Sequence, residues 1–295
     1  MPKPPFTSTS GDTGAMQTCL PTAGDVLAIV ASPHDVASYV ACRLAARAHG
    51  SVTGCAMSTA FLGGHGFSHE ATVLSLLDAP PSTVHAHDME PGGNGDAFVH
   101  LARHEGVHSA SWAVIETDVA ARLSALASWH DLIVVQRPGD TGADPIDGLN
   151  QLLLRTGLPC LVLPVVCTPS SVFDRVVLAW DGSRAATKAL RAVLPLLMAA
   201  KDVLLLDGAT EPASSSVPQF DPITFLARHG VEATRTLLDV APSAAGPALL
   251  ERSRRFEADL LVMGAYGHAP LRERIFGGAT RHVFGHGDIA TFLHH

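Results

Sequence analysis

Basic residues, paired thiols, aromatics and long apolar runs are all scarce in this 295-residue sequence, and each scarcity excludes something. Lys and Arg number 20 against 28 Asp and Glu, for a formal net charge of -8. Without a broad basic footprint, nucleic-acid binding driven by phosphate neutralisation is not expected. No apolar run reaches the ~18 residues that a membrane span needs, so no membrane association is expected either. The five cysteines (Cys19, Cys42, Cys55, Cys160, Cys167) are odd in number and never form a C-x-x-C pair, a pattern of free thiols in a reducing compartment, with the cytoplasm as the default. Cys42 and Cys55 lie in apolar stretches and read as buried fillers. There is no H-E-x-x-H, Ser183 lacks a G-x-S-x-G elbow, and no pair of carboxylates is placed for proton transfer, so no catalytic residue is assigned. Sixteen histidines include spaced pairs (His65 and His69, His85 and His87, His100 and His104), but no thiolate cluster joins them and no metal ligand is assigned.

What is present is apolar and alternating. Hydrophobic residues make up 47% and charged residues 16%, as in a compact chain able to bury more than one core. Residues 1–24 are rich in Pro, Ser, Thr and Gly and read as a flexible N-terminal tail, not a signal peptide. From Asp25 the pattern is strand 25–31, helix 35–49 closed by Gly50 as C-cap, and strand 51–58, followed by an irregular excursion over 60–94. Helix 95–105, strand 109–116, helix 119–129, strand 132–136, helix 147–155 and strand 160–166 follow. Strand 173–180, helix 184–200, strand 203–206, a helix ending at 229, strand 232–238, helix 246–256 and strand 259–263 then repeat the order. The repeat shows in residues: LARHEGVHSASW at 101–112 echoes LARHGVEATRT at 226–236, and HDLIVV at 130–135 echoes ADLLVM at 258–263. Two fused copies of one α/β domain, 25–167 and 172–295, account for it, each with a parallel sheet covered by helices.

The stretch DLLVMGAYGHAPLRERIFGGATRHVF, residues 259–284, carries the most chemistry. An apolar strand ends at Gly264, Gly267 follows, and Gly277 and Gly278 open a helix. Amide groups at such a helix start, with the positive end of its dipole, suit an anion. It is neither a Walker A loop nor a G-x-G-x-x-G turn. Gly264, two residues, Gly267, nine residues, Gly277 resembles the nucleotide-binding signature of the universal stress protein family, in which Ser or Thr stands where this chain has Gly278.

The resemblance spans Asp25 to the C-terminus. It implies two tandem Rossmann-like domains, each with five parallel strands in the order 3-2-1-4-5, and a site at the topological switch between strands 1 and 4. It implies that Asp181 and Gly208 contact adenine, that Ala179 and Gly264 meet the ribose, and that Gly267, Gly277, Gly278 and Ala279 hold phosphates. Thr280 adds a hydroxyl or serves the first helical turn, and Asp181 has helix capping as an alternative role. Arg272, Arg274, Arg281 and His268 flank the loop. The cofactor implied is ATP, or ADP or AMP, with Mg.

In the first copy, Gln136 and Arg137 stand where the glycine turn should begin, and Ala31 replaces Asp181, so a degenerate site is expected there. Since that copy lacks the glycines, the fold itself is not expected to require them. The function implied is a stress-response protein that binds an adenine nucleotide in its second copy for regulation, with any ATP hydrolysis slow and incidental. The alternatives are a nucleotide-free pseudo-dimeric scaffold and an ATP-dependent substrate-activating enzyme. Strand 5 of the first copy is expected to pair with Ile289 to Leu293, making an intramolecular pseudo-dimer. A homodimer and the protein partner are left open.

Overall fold

The computed structural model describes residues 24–57, 93–115, 118–137, 145–170, 172–208, 221–265 and 278–295. The expected tail up to residue 23, and the excursion over 60–94 apart from its last two residues, lie outside the described residues. The first half runs β1 (Val26–Val30), α1 (Val36–Ala48), β2 (Ser51–Met57), α2 (Asn94–His104), β3 (Ser109–Ile115), α3 (Val119–Ala127), β4 (Leu132–Gln136), α4 (Pro145–Thr156) and β5 (Cys160–Leu163). The second runs β6 (Arg175–Trp180), α5 (Arg184–Ala192), α6 (Leu194–Leu197), β7 (Asp202–Asp207), α7 (Pro222–Arg228) and β8 (Thr234–Leu237). A 3-10 turn (Pro242–Ala244), α8 (Ala245–Arg255), β9 (Leu260–Gly264), α9 (Gly278–His286) and β10 (Ala290–His294) complete it.

The ten strands among the described residues form one sheet in the order β3-β2-β1-β4-β5-β10-β9-β6-β7-β8. Within each half the pairs are parallel and the order, counted from that half's own first strand, is 3-2-1-4-5. The halves meet where β5 pairs antiparallel with β10, Leu161 opposite Phe292. Each half would otherwise expose an apolar edge there, and the joint removes both. β1 is buried on both faces, with Val26, Ala28 and Val30 in one core cluster and Leu27 and Ile29 in the other. Helices on both sides explain its unbroken apolar run. The outer strand β8, Thr234 to Leu237, is polar and largely exposed, as suits an edge.

The repeated Asp of HDLIVV and ADLLVM has a structural role in both halves. Asp131 Oδ2 accepts from the amides of Gly24 at 3.0 Å and Asp25 at 3.1 Å, and Asp259 Oδ2 accepts from those of Asp174 at 2.7 Å and Arg175 at 3.2 Å. Each carboxylate thus fixes the start of the central strand beside its own. The LARH echo marks equivalent helix ends: Gly106 (φ 90) and Gly230 (φ 74) follow α2 and α7, and the amides of Val107 and Val231 return to the carbonyls of Ala102 and Leu226.

Three elements differ from the sequence reading. α1 ends on His49, which takes the left-handed conformation (φ 55), while Gly50 serves close approach: a Cβ there would lie 1.8 Å from the Gly24 carbonyl oxygen. The strand expected over 160–166 stops at Leu163 because Pro164 has no amide proton for a ladder. The helix expected over 184–200 breaks at Val193, between α5 and α6, because Pro195 cannot donate to the preceding turn and its ring crowds that turn's carbonyl.

Candidate functional site

Ala179, Asp181, Gly208 and Gly264 come together at the carboxyl ends of β6, β7 and β9. Ala179 sits opposite Leu206 of β7 on one side and Met263 of β9 on the other, so the register places Asp181, Gly208 and Gly264 just beyond it. β6 is the strand from which the sheet order runs outward in both directions, and the crevice at its end is where open α/β sheets bind ligands. α8 leaves the carboxyl end of β8, and Gly246 in its first turn lies against α9, where a Cβ would meet Ala279 O at 3.1 Å and His282 Cβ at 2.6 Å. The amino end of α9, with Gly278, therefore opens at the same end of the sheet. Gly267 and Gly277, with His268, Arg272 and Arg274, lie outside the described residues.

The turn after β6 is built by local hydrogen bonding. Asp181 Oδ1 accepts from the Ser183 amide at 2.9 Å, and Gly182 between them takes φ 75, which only glycine adopts without strain. Ser183, not Asp181, caps α5, its Oγ accepting from the Ala186 amide at 3.1 Å. Asp181 is half-buried, and that turn holds one of its carboxylate oxygens. Gly208 donates its amide to the Trp180 carbonyl at 2.8 Å, so only its carbonyl can serve a ligand. A side chain there would make ordinary contacts, 3.7 Å from Trp180 O.

Gly264 corrects one expectation. A Cβ at this position would stand 2.4 Å from the Ala186 nitrogen and 2.7 Å from the Ala185 carbonyl carbon, so the first turn of α5 packs directly on the glycine. The fold of the second half does require it. In the first half the equivalent Gln136 is accommodated, and its Nε2 donates to Val165 O at 2.9 Å. Gly278 is different: it is exposed, and among the described residues nothing lies within 4 Å of a Cβ built there. Ala279 is half-buried, whereas Thr280 is 4% exposed and shares the buried face of α9 with Val283 and Phe284.

Sequence reasoning missed two supports of this site. Asp207, 5% exposed at the end of β7, accepts from Arg235 Nε at 2.7 Å, and Arg235 Nη1 also reaches Asp221 Oδ1 at 2.9 Å. Asp221 caps α7 through the Thr224 amide at 2.8 Å, which together with Thr224 Oγ1 and Arg235 holds its carboxyl below the usual carboxylate range. The Asp-Gly and Asp-Pro pairs at 207–208 and 221–222 were the available signals. The second support is His294. It closes β10 opposite Gly264; the Nδ1 of its half-buried ring has no partner among the described residues, and burial, with nearby Lys188, lowers its pKa.

The corresponding end of the first half is closed by its own side chains. Asp35 Oδ2 accepts from the amides of Ala31 at 2.7 Å and Ser32 at 2.9 Å, so a carboxylate occupies the turn after β1. Arg137 leaves its own half: Nη1 donates to the Phe284 carbonyl and Nη2 to the Gly287 carbonyl at 2.8 Å, at the carboxyl end of α9.

With this geometry in place, the comparisons with known proteins are decisive on architecture. A universal stress protein from Archaeoglobus fulgidus superposes with TM-score 0.58 at 14% identity, covering 92% of this chain and 96% of that one. The fold is that of the universal stress proteins. A candidate universal stress protein from Pseudomonas aeruginosa UCBPP-PA14 superposes with TM-score 0.57, also at 14% identity and over 92% of each chain. A protein of unknown function from Pseudomonas aeruginosa PAO1 does so with TM-score 0.55 over the same shares. No family model matches the sequence, and no curated protein matches it. The universal-stress-protein fold is thus shared with these structures at 14% identity. No helix among the described residues is long and apolar enough to cross a membrane, and among them no group of His, Cys, Asp and Glu is placed to hold a metal ion.

Proposed function

We propose that the chain is a two-domain regulatory protein, 25–167 joined to 172–295, that binds ATP or a related adenine nucleotide in its second half. The observation that carries this reading is the contrast between equivalent turns. The second half presents Asp181 on a glycine turn, an exposed Gly278 with no described residue within 4 Å of a Cβ built there, and a helix start at the carboxyl end of the sheet. The first half covers its turn amides with Asp35 and turns Gln136 and Arg137 onto carbonyls elsewhere. The residues present fit the nucleotide: Asp181 for the adenine amine, the Gly208 carbonyl beside it, Ala179 and Gly264 for the ribose, and Gly267, Gly277, Gly278 and Ala279 amides for phosphate, with Mg shared among the phosphates. A buried Thr280 leaves the phosphate contacts to the main chain. Binding acts through differential affinity for two conformations of the chain or of its complex, not through turnover.

One observation favours a nucleotide-free scaffold instead: Gly264 is explained by packing on α5, and Gly208 already spends its amide on Trp180. Nucleotide released by heat from the purified protein separates the two readings. Recovery of about one adenine nucleotide per chain supports binding, and its loss on Gly277→Val assigns the site. Protein that neither carries nucleotide nor takes up millimolar ATP is the scaffold.

A further inference from the structure

A second cavity lies at the junction of the halves, where the chain leaves β5 and returns to β6 past the amino ends of β9 and β10. Its volume is about 420 Å³, within the usual range for small-ligand sites. Much of the lining is apolar, from Leu163, Val166, Val172, Phe173, Leu250 and Ile289. Val166 is 88% exposed and Val172 48%, so the connecting chain leaves apolar surface uncovered at the mouth. Arg43 holds this connection down by donating to the Pro169 carbonyl, so the segment is anchored to the first half.

The polar part of the lining is Thr168 and Ser170 from the connection, with Ser253, Arg254, Asp259 and Asp288. Ser253 is 1% exposed, yet its Oγ has no hydrogen-bond partner among the described residues. A helical serine ordinarily turns its hydroxyl onto the preceding turn, and one left unpaired in the interior is a standing cost to the fold. A ligand group reaching Ser253 removes that cost. The charge around it is unbalanced: two carboxylates face one guanidinium, and Arg254 is already engaged with Asp288 at 3.2 Å. Asp259 accepts from the backbone amides of Asp174 and Arg175, Lys201 lies within its electrostatic reach outside the lining, and burial raises its pKa in spite of the amides. An anion is disfavoured in such a site and a cation favoured.

We propose that this junction cavity binds a small amphipathic amine, whose apolar body lies against Leu163, Val172 and Phe173 and whose ammonium donates to Ser253 Oγ near Asp259. The proposal stands independently of nucleotide binding in the second half. Since the lining joins β5 of the first half to α8 and β10 of the second, an occupant bridges the two.

The test is a titration of the full ¹⁵N-labelled chain with three matched probes, 2-phenylethylamine, 2-phenylethanol and 3-phenylpropanoate. A probe of roughly ten heavy atoms binds in the millimolar range at ordinary ligand efficiency. The amine is expected to give saturable shifts at Val172, Ser253 and Ile289, with the alcohol and the acid at least about five-fold weaker. Ser253→Ala, which deletes an unpaired hydroxyl and so retains the fold, is expected to weaken the amine by about five-fold or more. Ala258→Leu, which fills the cavity, abolishes the shifts. The proposal is overturned if no probe saturates below about 20 mM, if the acid or alcohol binds as tightly as the amine, or if either variant binds like the parent chain.

Discussion

Arg137→Met removes a side chain that fastens the degenerate end of the first half onto the helix behind the candidate phosphate site, and its cost follows from the geometry. Arg137 donates to the carbonyls of Phe284 and Gly287, both buried residues, and its guanidinium carbon lies 5.9 Å from the Phe284 ring centroid. Hydrogen bonds to charged groups contribute about 1.5–3 kcal/mol each, and a cation at a helix C-terminus about 0.3–1 kcal/mol more. Against this stands the desolvation of the guanidinium, which lowers its own pKa. Met keeps the apolar stem, so the net loss expected is about 2–3 kcal/mol. For a chain of this size that corresponds to a fall in Tm of about 3–5 °C. Urea denaturation of parent, Arg137→Met and Arg137→Lys measures it, with Lys expected to recover little because a point charge cannot span two carbonyls. Hydrogen exchange should show α9 losing protection before α1. A Met variant within about 0.5 kcal/mol of the parent, with α9 protection unchanged, would refute the strut.

Gly264→Ala should cost about 1–3 kcal/mol in urea unfolding, because its Cβ would meet backbone of α5 at 2.4 Å; a neutral result would mean α5 is not packed as described. Gly278→Ser should leave stability within about 0.5 kcal/mol, since no described residue lies within 4 Å of the new Cβ, and should tighten ATP binding about two- to ten-fold by calorimetry through the added hydroxyl. Asp221→Ala should destabilise by about 1 kcal/mol through the lost cap on α7. Asp221 and Glu105 both have lowered pKa values, the former mainly from the Thr224 amide and the latter mainly from the Arg43 hydrogen bond. The stability they contribute is complete above the ordinary carboxylate range and is lost as pH falls through the lowered values. Urea midpoints followed into acid should therefore drop more steeply for the parent than for an Asp221→Asn, Glu105→Gln variant, and equal slopes would contradict the assignment.

Much of the architecture was legible because both halves write the same period into the chain. β1 and β4 are unbroken apolar runs since helices cover both their faces, and the echo of HDLIVV in ADLLVM includes the Asp that fixes each central strand. Boundaries failed where a local rule competed with the pattern. Pro164 and Pro195 cut a strand and a helix that apolar periodicity alone would continue, and Gly50 answers to the backbone of Gly24 across the sheet, which no local window contains. At the site, strand ends and the Asp-Gly-Ser turn could be placed from sequence, because a turn is a local object. The partners of Gly264, Asp207 and Arg137 could not, since α5, Arg235 and the carboxyl end of α9 reach them only through the sheet order. The glycine of a nucleotide motif and the glycine of a close helix contact look alike in one dimension, and at Gly264 the structure shows the helix contact.

Calorimetric titration of the full chain with ATP and Mg, alongside Gly277→Val, tests the central claim most directly. Saturation at about one nucleotide per chain with a Kd of millimolar or tighter, lost in the variant, is the result expected if only the second half carries a working site. Two equivalents per chain would contradict the closed first half, and an absence of binding up to millimolar ATP would contradict the nucleotide site itself.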